Sequence, residues 1–280
     1  MRHILTILAL AAGWPAAAAA QRACFPGPES NEARTLAIFG VPLAFSRGNA
    51  PTLFSGFQAG LELASLPEVD DAIATPTICE PGKGPENTDL LFALPRPRIG
   101  MPLPFGLALQ LSWVPPVRVR GVKANLFGVS VEKAFGRLDG LVGAIRAHAT
   151  FGSVRAPVTC DDTALEDAES ECFRGRRSDD RLRPNIMGID LALGGPLLEG
   201  RLRPYGGVGY NRLQPRFQVN FIDQFGQLDD RRVEVDLNRL VLFGGATWQA
   251  TERVGITTEL YGSPADAMTA RVLVRTAVWP

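Results

Sequence analysis

Strict alternation of apolar with small or polar residues recurs along most of this chain, and it limits what the chain can fold into. In PFGLALQLSWV, Phe105, Leu107, Leu109, Leu111 and Trp113 share one face of an extended strand. Gly106, Ala108, Gln110 and Ser112 share the other. FQAGLELA sets Phe57, Ala59, Leu61 and Leu63 against Gln58, Gly60, Glu62 and Ala64. NLFGVSVEK, LVGAIRAHATF, IMGIDLAL, VGITTELY and RVLVRTAVW repeat the scheme, with Glu132, Arg146, His148, Asp190, Glu259, Arg271 and Arg275 on their polar faces. A helix needs apolar residues three and four apart, so period two reads as strand. About ten segments carry it: 54–66, 91–102, 105–114, 123–135, 141–154, 184–194, 201–221, 231–248, 254–262 and 269–279.

The connections are uneven. Tight ones around Pro104, 137–140, 195–200 and 250–253 alternate with mostly longer ones at 67–90, 115–122, 155–183, 222–230 and 263–268. An up-and-down meander with short turns at one end and long loops at the other is the plan of outer-membrane barrels, whose strands need roughly 9–11 residues to cross. A soluble sandwich or lipocalin-like barrel also alternates, with its apolar face inward. Three features favour the membrane version: polar faces rich in Gly, Ala and Ser, scarce lysine in the strands, and aromatics (Phe57, Phe105, Trp113, Phe127, Phe151, Trp248, Trp279) toward strand ends.

With these strands, this turn–loop asymmetry and RVLVRTAVW at its end, the sequence resembles bacterial outer-membrane β-barrel proteins over its whole length after the first twenty residues. The resemblance implies an all-β fold, an antiparallel up-and-down transmembrane barrel of about ten strands (roughly 8–12) with long outer loops. It also implies outer-membrane lipid and the barrel-assembly machinery as partners. That machinery reads a terminal aromatic, here Trp279 followed by Pro280. It names an architecture and a destination, not a subfamily.

Residues 1–20 read as a cleaved export signal: Arg2, an apolar run from Ile4 to Ala12, and Ala18-Ala19-Ala20 before Gln21. The run is too short to span a bilayer as a helix, and no later stretch is long enough. Residues 21–52 fit the strand scheme poorly: EARTLAIFGVPLAF is a short helix, an extra strand, or a plug folded into the lumen. Residues 53–280 are the barrel. Balanced charge (29 Lys and Arg, 29 Asp and Glu) argues against a nucleic-acid partner. Four cysteines in an exported chain point to two disulfides. Cys160 with Cys172 is the local pair, which leaves Cys24 with Cys79.

Read as a lumen, the polar faces hold a network of Glu62, Glu132, Arg146, His148, Asp190, Arg203, Glu259, Arg271 and Arg275. About eight strands leave an interior that side chains fill, and about sixteen are needed for an open pore. Buried charge must be paired, so a cross-linked interior is favoured over a wide channel. Glycine-rich faces keep a narrow path open as an alternative. His148 is the one histidine after residue 20, and Ser153 lies an odd number of residues away, so the pair does not share a strand face. No catalytic set is expected. CDDTALEDAESEC makes Asp161, Asp162 and Glu166 weak candidates for a divalent cation, without the spacing or turn glycine of a calcium loop. No other cofactor is expected. Phe217 and Phe221 alternate beyond bilayer length, so they offer an exposed strand surface for a small ligand or surface partner. The expected function is a non-enzymatic barrel with a structural or surface-binding role through disulfide-braced outer loops. The alternatives are a narrow channel or passive transporter for a small solute or amphiphile, and a barrel hydrolase using His148.

Overall fold

The computed structural model describes residues 23–52, 56–138 and 140–279. The proposed export signal lies outside them, as do positions 54 and 55 of the first expected strand. Ten long strands follow one another: β1 (Phe57–Ser65), β2 (Ala93–Leu103), β3 (Leu107–Val114), β4 (Val122–Leu138), β5 (Leu141–Ala156), β6 (Ile186–Gly194), β7 (Leu202–Leu213), β8 (Leu237–Gln249), β9 (Val254–Ser263) and β10 (Ala267–Trp279). Each is antiparallel to the next, and β10 closes on β1 through pairs such as Val274↔Leu61. The result is a closed ten-stranded up-and-down barrel.

Period-two alternation decides the two faces. Leu61, Ile99, Val131, Ile189, Leu193, Leu242, Leu260 and Val274 are exposed on the outside, while Glu62, Gln110, Ser130, Glu132, Asp190 and Arg271 are buried within. A belt of exposed Leu, Ile and Val around a charged interior inverts the soluble pattern, and only a lipid surround makes it favourable. Trp113, Phe127 and Phe151 stand in register across β3, β4 and β5, with ring centroids 6.1 and 5.9 Å apart. They mark the loop-end rim of the belt. Phe57, Phe105, Phe135 and Trp248 lie exposed toward the turn end.

Within residues 23–52 the structure combines two of the three possibilities, a short helix and a coil folded into the lumen as a plug. Helix α1 (Asn31–Leu43) is capped by Ser30, whose Oγ accepts from Ala33 N at 3.2 Å, and it enters the barrel from the loop end. Past it the chain runs down the lumen as coil, where Phe45, Ser46 and Arg47 are wholly buried. Short strands Asp180–Arg183, Arg216–Gln218 and Arg232–Glu234 extend the barrel wall above β5 into a lip. Ala23–Cys24 pairs in parallel with the last of them.

The lip corrects one expectation. Segments 201–221 and 231–248 are not continuous strands: the first breaks at Pro215, which has no N–H for a ladder, and the second at Val235 and Asp236 opposite it. Phe217 does pair with Val233 as the pattern implies. Beyond it the apolar face that carries Phe221 is not an exposed surface, and only the hairpin tip, with Phe225 and Leu228, stands exposed. That face folds against the loop carrying the Cys160–Cys172 bond, leaving Phe221 5 % exposed beside Val219 and both cysteines. Burying that apolar face under the loop is worth more than leaving it in water.

Candidate functional site

Four acids on the barrel wall hold the plug coil. Arg47 Nη2 donates to Asp190 Oδ1 at 2.9 Å, and Arg146 Nη2 donates to Asp190 Oδ2 at 2.6 Å. Arg47 Nη1 lies 2.7 Å from Glu132 Oε2, but without hydrogen-bond alignment, so this contact supplies charge more than direction. Glu62 pairs with Arg98, lies 3.5 Å from Arg271, and accepts from Ser46 Oγ at 3.2 Å. Glu259 accepts from Tyr205 Oη at 2.8 Å and from Gly48 N at 3.3 Å.

Two wall arginines finish the helix. The last carbonyls of α1 have no partner within the helix and carry its negative end. Arg96 Nη2 donates to Leu43 O at 2.9 Å, and Arg271 donates to Val41 O and Ala44 O at 2.8 and 2.9 Å. The helix has no basic residue of its own in its last turn, so the barrel provides them. Arg98 also lies 4.3 Å over the Phe45 ring. The plug is therefore held by paired charge along its length. A void of about 20 Å³ beside Asn49, Gly60 and Arg275 is the size of one water molecule.

Above the plug, the loops enclose an apolar cavity of about 370 Å³. Leu36, Phe39 and Leu43 of α1 form one wall, and Leu94, Ala124 and Val154 of the barrel form another. Leu182, Phe217 and Val233 of the lip complete it. The roof is ionic. Lys83 Nζ sits 2.8 Å from both Glu86 and Glu171, and Arg231 pairs with Glu80, Asp229 and Glu171. Burial pushes the Glu86 carboxyl up to about 7, against the pull of Lys83. Glu32 ties the roof to α1: its Oε1 accepts from the backbone N–H groups of Thr77, Ile78 and Cys79 at 2.7–2.9 Å. Those bonds hold its carboxyl low despite burial.

Both expected disulfides are present. Cys24–Cys79 lines the cavity, and Cys160–Cys172 stands next to Glu171 of the roof. Of the expected lumen network, Glu62, Glu132, Arg146, His148, Asp190, Glu259 and Arg271 are buried together, whereas Arg203 and Arg275 lie half-buried toward the turn end. Arg275 there donates to Gln58 at 3.2 Å. His148 lies 3.8 Å from Asp190 and, among the described residues, has no hydrogen-bond partner. Its cross-strand neighbour is Ser130, not Ser153, and no hydrogen bond joins the two. The weak cation candidates do not converge. Asp161 caps helix α2 (Asp162–Glu166) and accepts from Asn87, Asp162 lies near Arg177, and Glu166 is exposed. Among the described residues, no three His, Cys, Asp or Glu side chains form a metal-sized cluster.

Sequence reasoning missed Arg47, Arg96, Arg98 and the roof. PRPRIG did carry a signal: Pro95, Pro97 and Ile99 face lipid, so Arg96 and Arg98 must face in. The β3 ladder reaches only Arg98, so both prolines sit where one neighbouring strand is absent. Arg47 lies in coil and had no periodicity to betray it.

No family model and no curated protein matches this chain. Among solved structures it is similar to Ail, the attachment invasion locus protein of Yersinia pestis, at 9 % identity over 79 % of this chain and 97 % of that one, with a TM-score of 0.31. Neisserial surface protein A is similar at 10 % identity over 80 % and 97 %, TM-score 0.29. The Pseudomonas putida toluene transporter TodX is similar at 10 % identity over 88 % and 76 %, TM-score 0.31. The assignment rests instead on the closed antiparallel wall, its apolar belt and aromatic rim, and the charged, plugged lumen. By these features the chain is a closed ten-stranded, up-and-down β-barrel with the architecture of a transmembrane barrel.

Proposed function

We propose that this protein is a non-conducting barrel of the bacterial outer membrane that binds a small apolar or amphiphilic molecule at its outer mouth. The observation that carries the reading is the cavity of about 370 Å³ between α1, the wall and the lip. It is concave and apolar with a few polar groups at one end, as small-molecule sites are, and its size is at the lower end of their usual range. Two disulfides and the ion pairs that Lys83 and Arg231 each make with Glu171 brace the loops around it. The packed ion pairs around Arg47 beneath it support binding over flow.

The test uses the whole protein in lipid nanodiscs, titrated with an environment-sensitive naphthylamine probe. Saturable binding above that of empty nanodiscs is expected. Ala124→Trp places an indole in the cavity and should remove the saturable part while the barrel keeps its heat-modifiable gel migration. Wild-type protein without saturable binding would refute the reading, and stepwise conductance in a planar bilayer would refute the non-conducting part.

A further inference from the structure

Strand register assembles a second feature, on the outside of the wall. Arg118 is paired across the ladder with Lys123, Lys123 with Arg155, and Arg155 with Arg181. Gln218 follows Arg181 in the same row, and Arg232 follows Gln218. Val122, Ala124, Val154 and Leu182 point into the cavity, so by alternation Lys123, Arg155 and Arg181 point away from it. Like charges directly opposite on neighbouring strands destabilise a sheet, and here three such pairs are consecutive. A row of this kind is not explained by the stability of the wall.

The neutralisation within the protein is small. Asp179 is shared, 2.9 Å from Arg118 and 2.9 Å from Arg155. Among the described residues, Lys123 and Arg181 have no carboxylate within ion-pair distance. Burial, then Arg183 and Arg155, pull the Arg181 guanidinium below its ordinary range, as expected for a cation crowded by cations. Arg118, Lys123, Arg155 and Arg183 are exposed and open to a ligand.

The height of the row selects that ligand. Lys123 and Arg155 lie four residues beyond Phe127 and Phe151 of the aromatic rim, about 13 Å along a strand. Barrel tilt reduces this to about 10 Å above the rim. Interfacial aromatics mark the inner edge of the headgroup region, which is roughly 5–7 Å thick, so the row stands at its outer edge with long side chains that reach back to headgroup phosphates, directly above lipid-facing wall.

We propose that Arg118, Lys123, Arg155 and Arg181 form a docking strip for a phosphate-bearing glycolipid of the outer leaflet, with its acyl chains along the apolar belt below. Guanidinium groups suit the site because they bind phosphate oxygens in pairs. The strip is separate from the cavity and does not depend on what fills it.

The experiment measures binding of diphosphoryl lipid A to the full chain by native mass spectrometry in detergent, with dephosphorylated lipid A, phosphatidylglycerol and inorganic phosphate as parallel probes. Tight, salt-sensitive binding of the diphosphoryl form alone is expected. Lys123→Gln/Arg155→Gln/Arg181→Gln should weaken it at least tenfold, while Arg201→Gln/Arg253→Gln at the turn end should not. Equal retention of the phosphorylated and dephosphorylated forms by wild-type protein would overturn the proposal without any variant. So would displacement of the glycolipid by millimolar inorganic phosphate, or a folded triple variant that binds as wild type does.

Discussion

Replacing Arg47 with methionine keeps most of the side-chain volume and removes a cation that joins the plug to two wall acids. Asp190 keeps Arg146 at 2.6 Å. Glu132 loses its only ion-pair partner among the described residues and is left buried, 2 % exposed, in the lumen. Breaking a buried pair in this way costs about 3–5 kcal/mol, because the remaining charge is uncompensated. The barrel ladder does not depend on Arg47, so the cost falls on opening of the plug. At about 1.4 kcal/mol per tenfold change, protection of the α1 amides from hydrogen exchange should drop by about 10²- to 10³-fold or slightly more. Exchange read by mass spectrometry on peptides from residues 31–47, with strand peptides as internal reference, gives the number. Adding Glu132→Gln to Arg47→Met removes the orphaned charge and should restore at least tenfold of the protection. Equal α1 protection in wild type and Arg47→Met, or no recovery in the double variant, would refute charge pairing as what holds the plug.

Three further outcomes are expected. Glu86 has its carboxyl raised from 4.5 to about 7, so the folded protein holds an extra proton between those values. The contribution of Glu86 to roof stability should therefore be full below about pH 4.5 and fall as pH rises to about 7, by up to about 3 kcal/mol. Melting at pH 5 and pH 8 should show this slope in wild type and not in Glu86→Gln. Cys24→Ser/Cys79→Ser opens a link between residues 55 apart, which the chain-entropy model values at about 4 kcal/mol. Saturable probe binding should weaken, and protease nicking between residues 67 and 90 should accelerate, while the strands remain resistant. His148→Ala should leave probe binding unchanged, because His148 lies among Ser130, Gly188 and Asp190 below the cavity. Loss of binding in that variant would place it in the site.

What could be read from the chain depended on the range of the interaction. The facing of Leu61 against Glu62, or Ile189 against Asp190, follows from neighbouring residues alone, so the barrel wall, its belt and its charged lining were legible. The two disulfides were legible too, because a 12-residue separation leaves little choice for Cys160 and only one partner for Cys24. Arg47 was not, since its meaning lies in Asp190, 143 residues away. The lip misled the reading because it alternates as the wall does, and Pro215 was the one local sign that strand β7 had ended. The same limit hides the basic row. Arg118, Lys123, Arg155 and Arg181 sit in separate segments, each a lone cation beside apolar neighbours such as Val122 and Ala124 or Val154 and Ala156. Only the ladder register places them side by side. A single-residue slip of β5 against β4 would turn Arg155 inward to the apolar cavity, and Val154 outward. The apolar lining therefore fixes the register, and the register in turn aligns the cations on the opposite face. Cavity and cationic strip are two faces of one sheet, which is why a change to either should be tested for its effect on the other.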